Sequence, residues 1–129
     1  MPPQRRTDPA AGRTALAAWQ ADASAPDRAT RATAVRYTLE QLAEQAPGHT
    51  LEVRVPPYGV TQCLQGPRHT RGTPPNVVET DAETWLALAT GTLSWAQARA
   101  SGAVHASGER ADLSDLLPVV PPRGLPSSS

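Results

Sequence analysis

The chain has 129 residues and a mass of 13.6 kDa, which is the size of one ordinary domain with its own core. Twelve acidic residues balance twelve basic ones, so no global field favours binding to nucleic acid or to an anionic membrane. A single cysteine, Cys63, excludes an internal disulfide, and the N-terminus lacks the apolar stretch of a secretory signal. No apolar run approaches the roughly 18 to 20 residues that cross a bilayer. We therefore expect a cytoplasmic protein without stable membrane insertion.

Both ends of the chain lack apolar periodicity. Residues 1–7 are polar and basic, and residues 121–129 are rich in Pro, Gly and Ser. Such segments bury too little apolar surface to offset the entropy that ordering them costs. The sequence therefore predicts a disordered N-terminus over 1–7, one folded domain over 8–120 and a flexible tail over 121–129.

Two helices are predicted before the first strand. Asp8 followed by Pro9 is a favourable helix start, and Ser24 with Asp27, three residues apart, marks the start of the second helix. This second helix carries one apolar stripe, with spacings of three and four residues, and a Pro-Gly pair ends it. The stripe consists of Ala32, Val35, Leu39, Leu42 and Ala46.

The repeat of apolar residues then changes from 3.6 residues, typical of a helix, to two residues, typical of a strand. Leu51, Val53 and Val55 alternate with polar residues, which predicts a strand with one buried face. A second strand over 58–65 follows a turn that contains prolines, so the two strands are expected to form a hairpin, with Val60 facing inward. The next segment is rich in Gly and Pro and is expected to be a loop over 66–75, followed by a short strand over 76–80.

Capping signals are clearest in the second half of the chain. Thr80 with Glu83 and Ser94 with Gln97 have the spacing of capping boxes, each of which opens a helix that a glycine ends. A strand then precedes a last short helix that starts at Asp112.

The predicted order is therefore helix, helix, three strands, helix, helix, strand, helix. The economical packing of these elements is an α+β domain, with a small, mostly antiparallel twisted sheet and helices on one of its faces.

Residues 76–117 also carry a family resemblance in their order and spacing. A strand leads through an acidic helix start at 81–83 into an apolar helix, which is followed by a short helix, a glycine turn and a strand that ends in glycine. The other positions that carry this pattern are Thr90, Gly91, Leu93, Ala98, Gly102, Val104 and Gly108. The segment resembles the C-terminal half of sterol carrier protein type 2 domains.

The whole chain is also similar to the small stand-alone sterol carrier family proteins of actinobacteria, in which two helices precede a strand such as residues 51–55. All basic residues are Arg, and Lys, Ile and Phe are absent, a composition typical of a GC-rich, actinobacterium-like source. The resemblance implies a sheet and helices that enclose an apolar tunnel for fatty acyl chains, acyl-coenzyme A or sterols. We therefore expect a non-enzymatic carrier of a lipid or other apolar ligand.

Two features depart from that family. Two clear strands precede residue 76 where a typical member has three, and the loop 66–75 stands in place of a sheet strand. A smaller sheet encloses a smaller cavity or none. The alternative is therefore an interaction or accessory module of the same fold with a solid core, related to the C-terminal domain of mycothiol-dependent maleylpyruvate isomerases.

Two sets of residues are candidates for ligand binding. A tunnel needs inward apolar side chains. The candidates are Val35, Leu39, Leu42, Val53, Val60, Trp85, Leu88 and Trp95. Arg68, His69 and Arg71 form a local cationic cluster, and guanidinium groups hold phosphate or carboxylate head groups through charge-assisted hydrogen bonds. The more common structural roles of such residues are a packed core and a solvated loop.

No catalytic, metal or cofactor site is predicted. His49, His69 and His105 do not pair at metal-ligand spacing, and no Cys-x2-Cys motif is present. Cys63 has His69 as its nearest candidate base, but its position on a strand favours half-buried packing. Phosphate-loop, dinucleotide and Gly-x-Ser-x-Gly motifs are absent. An apolar or acyl small molecule is the expected partner, and a protein partner is the alternative.

Overall fold

A computed structural model describes residues 6–66 and 76–120 of the chain. The elements are α1 (Pro9–Ala21), α2 (Arg28–Gln45), β1 (Leu51–Val55), β2 (Gly59–Cys63), β3 (Asn76–Thr80), α3 (Ala82–Thr90), α4 (Trp95–Ser101) and β4 (Val104–Ser107). Within the described residues the strands form one sheet in the order β2-β1-β3-β4. The outer pairs are antiparallel, and β1 pairs with β3 in parallel. The predicted α+β class with a mostly antiparallel sheet is confirmed.

The register of the hairpin decides which face of the sheet is buried. Leu51, Val53 and Val55 of β1 are fully buried, as their alternation predicts. Their neighbours on β2 include Cys63 and Gly59. A Cβ atom at Gly59 would lie 3.3 Å from a methyl carbon of Leu39, so the missing side chain lets α2 approach β2 closely.

Val60 lies on the opposite face of the sheet. It pairs with Arg54, and 59% of its surface is exposed. The prediction that Val60 faces inward was therefore wrong. The alternation of β2 has two possible phases, and pairing with β1 selects the phase in which Cys63 is buried.

Trp85 of α3 lies in the core between the helices and the sheet. Its side chain is fully buried, and its indole Nε1 donates a 2.8 Å hydrogen bond to the hydroxyl oxygen of Thr38 on α2. The Thr38 hydroxyl in turn donates to the Ala34 carbonyl at 2.8 Å. Because a buried N–H without an acceptor is costly, this chain of hydrogen bonds fixes α3 relative to α2.

The start of α2 differs from the prediction. The Asp27 carboxylate accepts a 2.8 Å hydrogen bond from the Thr30 amide and caps the helix, whereas the Ser24 hydroxyl donates to Asp22. A carboxylate is a stronger acceptor than a hydroxyl at the positive end of the helix dipole. Ser24 and Asp27 therefore do not act together as one start signal.

The start of α3 is also shifted by one residue. The Asp81 carboxylate accepts a 2.8 Å hydrogen bond from the third helical amide. The Thr80 hydroxyl instead donates to the Ala103 carbonyl at 2.8 Å, so the capping box predicted at Thr80 is wrong. The capping box of Ser94 and Gln97 at the start of α4 is confirmed, with both of its hydrogen bonds formed.

The final helix predicted after Asp112 is absent from the described residues, and a single turn over 114–116 takes its place. Nucleating a helix is costly when few residues can follow, and Pro118 cannot continue one. The chain instead returns to α3, where the Val119 amide donates a 2.9 Å hydrogen bond to the Ala89 carbonyl.

Arg6 and Thr7, which the sequence places in the disordered N-terminus, contact α2. Arg6 Nη2 lies 2.6 Å from a carboxylate oxygen of Glu44, and the Thr7 amide donates to Glu40 at 3.0 Å. The chain is therefore held by α2 just before α1 begins. Residues 1–5 and the predicted flexible tail lie outside the described residues.

Replacing Thr38 by Val removes the acceptor of the Trp85 indole and keeps the shape of the side chain. We expect the free energy of unfolding, measured by urea denaturation, to fall by about 1–3 kcal/mol, because a buried N–H loses its partner. The matched control is Thr33→Val on the same helix, where the hydroxyl bonds only the Ala29 carbonyl. We expect that control to change stability by less than about 0.5 kcal/mol. Equal losses in both variants would contradict the role given to the Trp85–Thr38 bond.

Candidate ligand-binding site

Most of the predicted tunnel lining is packed in the core. Val35, Leu42, Val53 and Trp85 have no accessible surface, so no water-sized void lies against them, and Leu39 is almost as fully buried. Side chains therefore fill the space between the helices and the sheet at these positions. That these five residues contact a ligand stays a prediction.

Leu88 and Trp95, two further members of the predicted lining, lie at a surface cavity. The cavity has a volume of about 350 Å³ and is enclosed by α3, α4 and residues 114–118. Trp95 is 9% exposed and forms an apolar floor, whereas Leu88 is fully buried below the surface of the cavity. Leu93 and Leu117, which also line the cavity, are half-buried.

The rim of this cavity is small or polar. Gly91, Ser94, Ala96 and Ser114 line it, and all four are exposed. An apolar floor below a few polar groups is the usual composition of a small-molecule pocket. The arrangement suits a molecule with an apolar body and a polar end.

The local sequence sets two walls of the cavity side by side. Gly91 ends α3 with a φ of 85°, a left-handed conformation that glycine adopts without strain. The capping box of Ser94 and Gln97 then starts α4 at once, so Trp95 is its first residue. This short connection holds Trp95 next to Leu88.

Residues 114–118 form the third wall of the cavity. Hydrogen bonds between the residues that follow them and distant parts of the chain hold this wall in place. The amides of Val119 and Val120 donate to the Ala89 carbonyl at 2.9 and 3.1 Å. The side-chain amide of Gln45 donates to the Val119 carbonyl at 2.8 Å. Residues 114–118 are thereby attached to both α3 and α2.

Arg99 lies beside the cavity, and the sequence analysis missed it. Its guanidinium carbon is 5.9 Å from the centroid of the Trp95 ring, which is within cation–π range. Hydrogen bonds from Ser114, and to a smaller extent the charge of Arg99, lower the pKa of Asp112. Arg99 therefore carries its positive charge near Asp112, just before the segment that closes the cavity. The sequence signal that could have identified this contact is the four-residue spacing of Trp95 and Arg99 on one helix.

Two other cavities have a different chemistry. One of about 440 Å³ lies on the open face of the sheet against Val60, with charged walls from Glu52, Arg54 and Glu79. The other, of about 590 Å³, lies between α1 and α2 and is lined mainly by Ala and Thr. Of the three cavities, the one at Trp95 has large buried apolar side chains in its lining. It is therefore the candidate ligand-binding site.

Comparison with known families identifies the fold. A family model described as "bacterial SCP ortholog" matches residues 27–119. The chain belongs to this sterol-carrier-like family. The match includes every strand of the described sheet and all lining residues of the cavity at Trp95. It confirms the resemblance seen in the sequence. A search among curated proteins found no match to the chain.

The other predictions for this sterol-carrier-like domain concern head-group binding, metal binding and membrane insertion. Arg68, His69 and Arg71 lie outside the described residues, so their role in binding a head group stays a prediction. Within residues 6–66 and 76–120, no group of three or more His, Cys, Asp and Glu side chains could hold a metal ion. In the same ranges no helix is both long and apolar enough to cross a membrane.

Cys63 of this sterol-carrier-like domain is a buried free thiol. It is fully buried in the core, and burial raises its pKa from 9.0 to about 11. The neutral thiol is favoured because a thiolate would lose its hydration in the core. The side chain is therefore a packing residue, more completely buried than its strand position predicts.

Alkylation by iodoacetamide tests this environment of Cys63. At mildly alkaline pH a rise in thiol pKa of two units lowers the thiolate fraction roughly 100-fold. We therefore expect the native protein to react at least that much more slowly than the urea-unfolded protein, as followed by mass spectrometry. Similar rates in the two states would show that Cys63 is accessible in the folded domain.

Proposed function

We propose that this protein is a non-enzymatic cytoplasmic carrier, and that the cavity at Trp95 binds an apolar or acyl small molecule. The observation that carries the proposal is the apolar lining of Leu93, Trp95 and Leu117, open to solvent at its rim. Protein pockets for small molecules measure about 300–1,000 Å³. The cavity of about 350 Å³ is near the lower end of that range. Membership of a sterol-carrier-like family supports the same function.

The driving force for binding would be the removal of apolar surface from water. Each methylene of a ligand that is buried contributes about 0.8 kcal/mol. Leu93 and Leu117 are half-buried at the cavity, so a ligand would also cover part of their surface. Because the cavity is small, a short alkyl chain fits it better than a bulky ring system.

The chemistry of the lining supports a carrier and not an enzyme. The described residues that line the cavity are Leu, Gly, Ser, Trp, Ala and Pro. None of these types is a general acid, a general base or an activated nucleophile at neutral pH. A bound molecule would meet apolar atoms and two serine hydroxyls, which hold it without transforming it.

A specific observation favours the second candidate, an interaction module with a solid core. The tunnel that the family resemblance implies would need space around Trp85 and Leu42, and both side chains are fully packed. In that case the cavity at Trp95 would be an irregularity of the surface. Direct binding measurements separate the two candidates.

The substitution Ala96→Leu narrows the cavity at its rim. If the added side chain displaces about two methylenes of a bound ligand, at about 0.8 kcal/mol each, affinity falls roughly tenfold. We expect this loss for 1-octanol, measured by isothermal titration calorimetry. The matched control is Ala100→Leu, which is exposed on the same helix and is not part of the lining. It should leave the affinity unchanged.

Tryptophan fluorescence locates the bound molecule. Of the three tryptophans, Trp95 lines the cavity, whereas Trp19 and Trp85 lie elsewhere. We therefore expect 1-octanol to change the emission of the wild-type protein but not that of Trp95→Phe. A wild-type protein that binds no 1-octanol would overturn the carrier function and favour the interaction module.

A further inference from the structure

The open face of the sheet carries a mixed row of side chains. The register places Val60, Arg54, Glu79 and His105 side by side across the four strands. All four side chains are exposed or half-exposed. Within the part of the chain that the structure describes, Val60 is the one large hydrophobic residue that is exposed.

Apolar side chains form one side of a cleft on this face, which we call the open-face cleft. It has a volume of about 440 Å³ and includes Pro56, Pro57, Gly59 and Val60, at the turn between β1 and β2. Both prolines are exposed. The apolar atoms are therefore adjacent and not scattered, and a partner can cover them together.

Carboxylates form the other side of the open-face cleft. Arg54 contacts the Glu52 carboxylate, and its Nη1 lies 4.0 Å from Glu79 Oε1. Two carboxylates thus share one guanidinium, which leaves an excess of one negative charge. Among residues 6–66 and 76–120, Glu79 accepts no hydrogen bond, and its side chain is 46% exposed. A cation from outside the domain can therefore pair with it.

We propose that the open-face cleft binds a basic segment of a partner protein. A Lys or Arg side chain of that segment packs its methylene stem on Val60 and the two prolines, and its cationic head pairs with Glu79. Long basic side chains combine an apolar stem with a charged head, which matches the two sides of the cleft. This inference is independent of the carrier function, because no residue lines both this cleft and the cavity at Trp95.

Charge and area favour a peptide segment over other occupants. Nucleic acids and anionic membranes present phosphates, which the excess carboxylate repels. Two copies of this chain placed face to face would bring like charges together. The sheet also covers only about 19 Å by 16 Å, whereas a stable interface buries about 800 Å² on each partner. A short segment that inserts one long side chain needs less area than a second domain.

The test titrates the 15N-labelled full-length protein with two blocked tetrapeptides and follows the backbone amide shifts by NMR. One peptide alternates leucine and arginine, and the other has glutamine in place of arginine, so the two differ in charge alone. We expect the arginine peptide to shift the amides of the residues that line the open-face cleft. It should bind about two- to fivefold more tightly than the glutamine peptide, as is typical of one exposed ion pair.

Two variants separate the charge from the apolar contact. Glu79→Gln should abolish the preference for the arginine peptide and leave binding of the glutamine peptide unchanged. Val60→Thr keeps a β-branched side chain of the same shape but replaces a methyl group by a hydroxyl, so it should weaken both peptides about two- to fourfold. The matched control is Glu44→Gln, which removes one negative charge from an exposed position on α2 and should alter neither affinity.

The contrary outcomes are distinct. Equal binding of the two peptides, or a preference that persists in Glu79→Gln, overturns the pairing with Glu79. Amide shifts confined to residues outside the open-face cleft, or no shifts with either peptide, overturn the docking surface. Cleft amides that shift when the protein alone is diluted would identify a second copy as the occupant and overturn the choice of partner. The carrier function stands in each case, since 1-octanol binding reports on it separately. A dispersed amide spectrum verifies that each variant is folded.

Discussion

An indole N–H that is shut off from water needs an acceptor inside the protein, and Trp85 finds one in the Thr38 hydroxyl at 2.8 Å. This contact joins α3 to α2 at a point where both helices cover the sheet. It also places the largest side chain of the core where a tunnel between helices and sheet would run. Apolar packing around Trp85 therefore stabilises the domain and leaves the surface end of α3 as the place for a ligand.

The candidate site depends on α3 in three ways. Leu88, one turn after Trp85, packs below the cavity, and Gly91 turns the chain so that α4 begins beside it. The Ala89 carbonyl receives the amides of Val119 and Val120 and so holds the third wall. The two ends of one short helix thus serve different purposes, since the first turns anchor the core and the last turn shapes the cavity.

The periodicity of the sequence predicts each helix and strand of the described domain. It also predicts a last helix that the described residues do not form. Periodicity fails as a guide where contacts between residues distant in sequence decide the structure. The local pattern of β2 allows Val60 or Cys63 to face inward, and only pairing with β1 selects Cys63. Residues 114–118 have helical spacing, yet the two residues that follow them make hydrogen bonds with α3 and α2, and no local signal encodes such contacts. The cavity could not be predicted for the same reason. Residues 114–118, at the C-terminal end of the domain, form its third wall.

The apolar floor and the polar rim of the site have separate consequences for binding. Burial of an alkyl chain on Leu93, Trp95 and Leu117 would provide affinity but distinguish poorly between ligands of equal length. Serine hydroxyls at the rim can donate or accept a hydrogen bond, so they would distinguish between ligands by their polar end groups. Such hydrogen bonds exposed to water would add selectivity with little additional affinity. A site built in this way would bind a ligand reversibly, as the proposed carrier function requires.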